Sequence, residues 1–246
     1  MRGMSVFWSR RQGLGVCLGS FLAAAVARAA PSARKIFLDA KVAALVEAAL
    51  SRDAGRAAEL VRAGANPNAR GDRNVTLLQW AILNKSHTGF DILLDLGADP
   101  TLAGLDGDGA IHFAAKADDP AYLRMILDRR AAVDARNSMT GRTPLMEALT
   151  GNRDRQMDML RAAGASLAAA DRMGNTPLHI AAQIGNSEQV LAMLEQGAPA
   201  RARNRQGKTF QTYFFMTPER VLNARARAAR QAVRDWLMRN GIGAEP

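Results

Sequence analysis

Thr176-Pro177-Leu178-His179-Ile180-Ala181-Ala182 decides how this chain of 246 residues is read. Threonine ahead of proline marks a helix start. The hydroxyl can accept a first-turn amide, and proline fits where an amide would have no intrahelical partner anyway. Leucine, isoleucine and alanine follow at helical spacing, the alanines small enough to let two helices approach closely. The position recurs: Thr76, Thr143, Thr176 and Thr209, with Gly109 in register, are separated by steps of 33, 34, 33 and 33. A second register keeps the same period, with Gly64-Ala65, Gly97-Ala98, Gly164-Ala165 and Gly197-Ala198 placed where a second helix needs a left-handed terminator. Such a period signals stacked units, none of which can bury its apolar face alone.

The first motif resembles the Thr-Pro-Leu-His-x-Ala-Ala signature of ankyrin repeats, and the Gly-Ala pairs resemble the ends of their second helices. The resemblance covers roughly residues 36–240. It implies an all-α solenoid of helix–turn–helix repeats with short β-hairpin fingers and helical caps at both ends. We place an N-terminal cap at residues 30–68, four repeats at 69–203, and a degenerate fifth repeat with a long basic capping helix at 204–246. Asn74, Gly107, Gly141, Gly174 and Gly207, two residues before each threonine position, tolerate positive φ at the finger tips. Arg130 stands in the glycine slot between Gly97 and Gly164, which predicts a strained or rearranged turn there. At the C-terminal end, Thr217-Pro218-Glu219 is expected to open a helix stopping at Gly241. One face of it would carry Leu222, Val233, Trp236 and Leu237, with Arg220, Arg227, Arg230 and Arg234 turned to solvent.

Residues 1–29 read as a cleavable signal peptide: arginines at Arg2, Arg10 and Arg11, an apolar run from Leu14 to Ala27, then the small-residue sequence Ala27-Arg28-Ala29. The expectation is a periplasmic protein exported by the Sec or the twin-arginine route. Cys17, the one cysteine, lies in this leader, so the mature chain would lack a thiol for disulfides, zinc or nucleophilic chemistry. The formal charge of +10 is unevenly spread. Residues 201–246 hold ten basic and three acidic residues, and removing the leader leaves +6. Periplasmic location argues against nucleic acid, leaving an acidic protein, anionic lipid or a polyanion as the attracted class.

No nucleophile–base pair, phosphate loop or ligand cluster stands out, so we expect no catalytic residues, no cofactor and no metal. His112 and His179 occupy the histidine slot of the repeat, which the resemblance assigns to hydrogen bonds between adjacent loops. His87 has neither a second histidine at helical spacing nor a cysteine to complete a metal site. The resemblance places binding on the finger tips and the adjoining first helices. Its candidate contacts are Asp72, Arg73, Asp106, Asp108, Lys116, Met139, Arg142, Arg172, Met173, Asn175, Gln183, Ile184, Arg205 and Lys208, acidic toward the first repeats and basic toward the last. The function expected is a non-catalytic protein-binding module, monomeric, holding an unidentified periplasmic partner such as an enzyme it supports. The alternative is a polyanion or anionic-membrane-surface binder acting through Arg220, Arg225, Arg227, Arg230 and Arg234 of the C-terminal helix.

Overall fold

A computed structural model describes residues 32–243 and 245. The expected leader at residues 1–29 lies outside them. Among the described residues thirteen α-helices follow one another, all but the first in pairs. A short α1 (Ala33–Ile36) precedes the first pair, α2 (Ala40–Leu50) and α3 (Ala54–Arg62). Four repeats then carry α4 (Leu77–Leu83) and α5 (His87–Asp95), α6 (Ala110–Lys116) and α7 (Ala121–Asp128), α8 (Pro144–Thr150) and α9 (Asp154–Ala162), and α10 (Pro177–Gln183) and α11 (Ser187–Glu195). The sixth pair, the degenerate fifth repeat, is α12 (Phe210–Phe214) and α13 (Ala224–Arg239).

First helices this short are marginal alone, so their stability must come from stacking. Each packs on the next: α4 on α6, α6 on α8, α8 on α10, α10 on α12. Leu78, Ile111, Leu145 and Leu178 fill the seams and are buried, with Ala81, Ala114, Ala148 and Ala181 closing the approach between helices. Asp39 and Asp53 cap the first pair, and Asn186 and Asn223 cap α11 and α13. Gly64, Gly97, Gly164 and Gly197 end the second helices at φ between 85° and 95°. Arg130 adopts the same left-handed conformation at φ 54°, so this turn is held in glycine geometry by a residue that pays for its Cβ.

Two expectations are corrected. The fingers form no strands among the described residues, where an isolated bridge between Arg70 and Thr76 is the whole of the pairing. Each finger is closed across its tip by a backbone bond at 2.8–2.9 Å, Gly71 to Val75, Gly104 to Asp108, Asn137 to Arg142, Asp171 to Asn175 and Asn204 to Lys208, with a tighter turn bond inside it from the tip residue, and this is too short for a ladder. The last helix begins at Ala224, not at Thr217. Pro218 is extended at φ −59°, ψ 141°, a 3₁₀ turn spans Glu219–Val221, and Asn223 supplies the cap through the Ala226 amide at 2.8 Å.

Candidate partner-binding face

The five tip residues Asn74, Gly107, Gly141, Gly174 and Gly207 all have positive φ, and in the first two fingers the residue before, Arg73 or Asp106, is left-handed as well. The fingers are then tied in series. Ser138 N–H donates to the Gly107 carbonyl at 2.8 Å, Arg172 N–H to Thr140 at 2.9 Å and Arg205 N–H to Met173 at 2.9 Å.

Behind the tips, one slot per repeat clasps neighbouring loops. Gln79 accepts the Thr76 amide at 3.1 Å and donates to the Asp108 carbonyl at 2.8 Å. His112 accepts the Gly109 amide at 3.1 Å, so its Nε2 carries the proton and donates to the Arg142 carbonyl at 3.1 Å. His179 does the same between Thr176 and Lys208. In the third repeat the slot holds Met146, which has no such bond to give, and the buried Thr143 hydroxyl is left without a partner.

A second latch was not read from the sequence. In the second, third and fourth repeats the residue before the threonine position bonds a side chain eight residues on, at the end of the first helix. Asp108 meets Lys116 at 2.5 Å, Arg142 meets Thr150, and Asn175 meets Gln183 at 3.4 Å. The repeated spacing of eight was the available signal.

These latches sort the candidate contacts. Asp72, Arg73, Asp106, Met139, Arg172, Met173, Gln183, Ile184 and Arg205 are exposed. Asp108 and Asn175 are buried, and belong inside the finger stack: Asp108 lies between Lys116 and the Asn137 amide at 2.6 Å, and Asn175 accepts from Asn204 at 2.9 Å. Lys116, Arg142 and Lys208 are half-buried, Arg142 against Glu147 at 3.2 Å and Lys208 over the Tyr213 ring. Met139 and Met173, 66% and 52% exposed, stand on adjacent fingers. Ile184 is apart from them, lining a cleft of about 600 Å³ between the loops that follow α8 and α10 and the start of α13.

Three of the five arginines of the alternative reading are engaged within the chain. Arg230 is buried, donating to the carbonyls of Thr217 at 2.7 Å and Phe214 at 2.9 Å, which corrects its expected solvent position. Burial, then the neighbouring Arg234, lowers its pKa. Arg225 is paired with Glu188 and Arg234 with Glu219. His87, alone in the sequence, is brought to Asp119 of the next repeat at 2.7 Å, with its ring 4.5 Å from that of Tyr122. Burial, then Asp119, pushes the unpartnered Tyr122 hydroxyl up to about 12. Among the described residues no three side chains of metal-ligating type come together, and no helix is long and apolar enough to cross a membrane.

Paired helices stacked behind a row of tied loops define a helical repeat solenoid. Residues 173–205 match the family model for the ankyrin repeat. The chain is similar to a solved structure, EF0377, described as an ankyrin repeat protein, with a TM-score of 0.61 and 22% identity over 80% of this chain and 97% of that one. The chain thus carries an ankyrin repeat at residues 173–205 and has the fold of an ankyrin repeat protein. Among curated proteins it is 46% identical over 141 residues to protein PhlB of Serratia liquefaciens, covering 57% of this chain and 62% of that protein. It is 34% identical over 144 residues to a putative palmitoyltransferase, ZDHHC13, of Danio rerio, spanning 22% of that protein. To the mouse B-cell lymphoma 3 protein homolog it is 28% identical, spanning 33%. The chain therefore spans less than two thirds of each of these relatives.

Proposed function

We propose that the protein is an exported, non-catalytic module that holds a partner protein on its finger tips, working in the periplasm. Ankyrin repeats indicate a protein–protein interaction module, and the repeat fold is typically non-catalytic. The observation that carries the reading is the pair Met139 and Met173, two adaptable apolar side chains left in water on neighbouring fingers whose backbones are hydrogen-bonded in place. The leader sequence of residues 1–29 supports the location, and an enzyme that the module supports is one partner of the right kind.

In-cell photo-crosslinking from position 173 tests it, with position 195 on the exposed side of α11 as control. A discrete adduct from 173 and none from 195, in the periplasmic fraction, is the expected result. A folded, exported protein giving no adduct at 173 overturns the finger reading, and retention in the cytoplasm overturns the location.

A further inference from the structure

The third finger is one residue longer than the other four. Its closing bond runs from Asn137 to Arg142, five residues on, where the other fingers close over four, so the single step of 34 in the sequence is an insertion at this tip. The fold does not require it. Gly141 still supplies the positive φ, and the bonds to both neighbouring fingers, Ser138 to Gly107 and Arg172 to Thr140, are intact. What the longer loop adds is a lifted Met139. Asn137 Oδ1 accepts the amides of Met139 and Thr140 at 2.8 Å, fixing the backbone. The root of the side chain leans on Gly107, where a Cβ would meet Met139 Cγ at 2.8 Å, and its end stands in solvent.

Toward the fourth and fifth fingers the exposed tip charge is basic, whereas the second finger presents the exposed Asp106. Arg172 and Arg205 are exposed, and among the described residues neither has an acidic partner within ion-pair distance. Arg172 donates to the Ser138 carbonyl at 2.7 Å, a bond that leaves its charge uncompensated. On the side of the fourth finger the acids are engaged, Asp171 by the amides of Met173 and Asn175 and Glu147 by Arg142, which leaves Asp106 of the second finger as the exposed carboxylate beside the tip.

We infer that the inserted third finger is the element that reads the partner, and that it takes a polypeptide segment carrying an apolar side chain flanked by carboxylates. The apolar group meets Met139 and Met173, and the carboxylates meet the guanidinium forks of Arg172 and Arg205. This rests on the proposed finger-tip reading and goes beyond it in naming the partner's chemistry and the residue that selects it.

The probe is a library of random peptides displayed on phage, selected on the full chain, with enriched peptides then measured by fluorescence anisotropy. Enriched sequences are expected to place Asp or Glu within a few positions of an apolar residue. Deleting Met139, or the double change Arg172→Glu with Arg205→Glu, is expected to weaken their binding by at least about tenfold at unchanged circular dichroism. Met139→Ser keeps the loop length and gives the same readout should the deletion unfold. A peptide with its carboxylates replaced by lysine should regain binding to the charge-reversed protein. Enriched peptides without acids, undiminished binding to the Met139 variants, or no enrichment at all overturns the inference. The crosslink at 173 then decides separately whether the finger reading survives.

Discussion

His179 holds two loops at once: its Nδ1 accepts the Thr176 amide at 3.2 Å, and its Nε2, which therefore carries the ring proton, donates to the Lys208 carbonyl at 3.1 Å. Burial disfavours the imidazolium and outweighs the Lys208 carbonyl and Asp171, so the folded pKa lies below 6.5. In the window between the unfolded value and that lower one, the unfolded chain binds more protons. Stability is therefore fully present above the window and falls as pH drops through it. The thermal midpoint should fall from about pH 7 to about pH 5, and less steeply in His179→Gln, since Gln79 performs the same clasp without titrating. An equal slope in both proteins would remove His179 from this role.

Thr76 and Thr143 occupy the same position with different bonding. The Thr76 hydroxyl accepts the Gln79 amide at 3.2 Å, whereas the Thr143 hydroxyl is buried and unpartnered. Thr76→Val should cost about 1 kcal/mol, and Thr143→Val should be near neutral because it removes a group that bonds nothing. Urea denaturation of the two variants checks this, and equal losses would count against it.

Gly174 and Gly207 share a left-handed backbone but not their surroundings. A Cβ on Gly174 would lie 2.9 Å from the Arg205 nitrogen, while a Cβ on Gly207 would meet nothing within 4 Å. Gly207→Ala should therefore cost about 1 kcal/mol for φ alone, and Gly174→Ala about 1–3 kcal/mol more for pushing the next finger away. The ordering is the test, read from denaturation midpoints.

Arg130 stands at φ 54° where four other repeat ends use glycine. Arg130→Gly should stabilise by about 1 kcal/mol, seen as a higher midpoint in urea at unchanged slope. A loss would mean that the arginine side chain contributes more than its backbone costs.

Arg230 donates to two carbonyls at the end of α12, those of Phe214 and Thr217. Arg230→Met keeps the stem and removes both donors, which should cost about 1–3 kcal/mol. Hydrogen exchange should quicken in α12 and the start of α13 while α4 to α9 keep their protection, because a repeat array opens locally from its ends.

The repeat period, the helix pairs, the glycine ends and the clasping histidines were legible in the sequence because each depends on residues a few positions apart, repeated at 33 or 34. Helical spacing, caps and positive φ are local requirements, and a local requirement leaves a local pattern. The sequence alone also located the extra residue between Gly109 and Thr143, though not the loop that holds it. Only the tertiary structure put that residue in the third finger, buried Asp108, Asn175 and Arg230, and separated Ile184 from Met139 and Met173. Charged and polar residues in loops read as surface until a partner is found for them. Here the partners lie 8 to 29 residues away, or at the far end of a neighbouring helix. Whether a side chain is free to meet another protein depends on whether those internal bonds already claim it, and stacking one repeat on the next decides that.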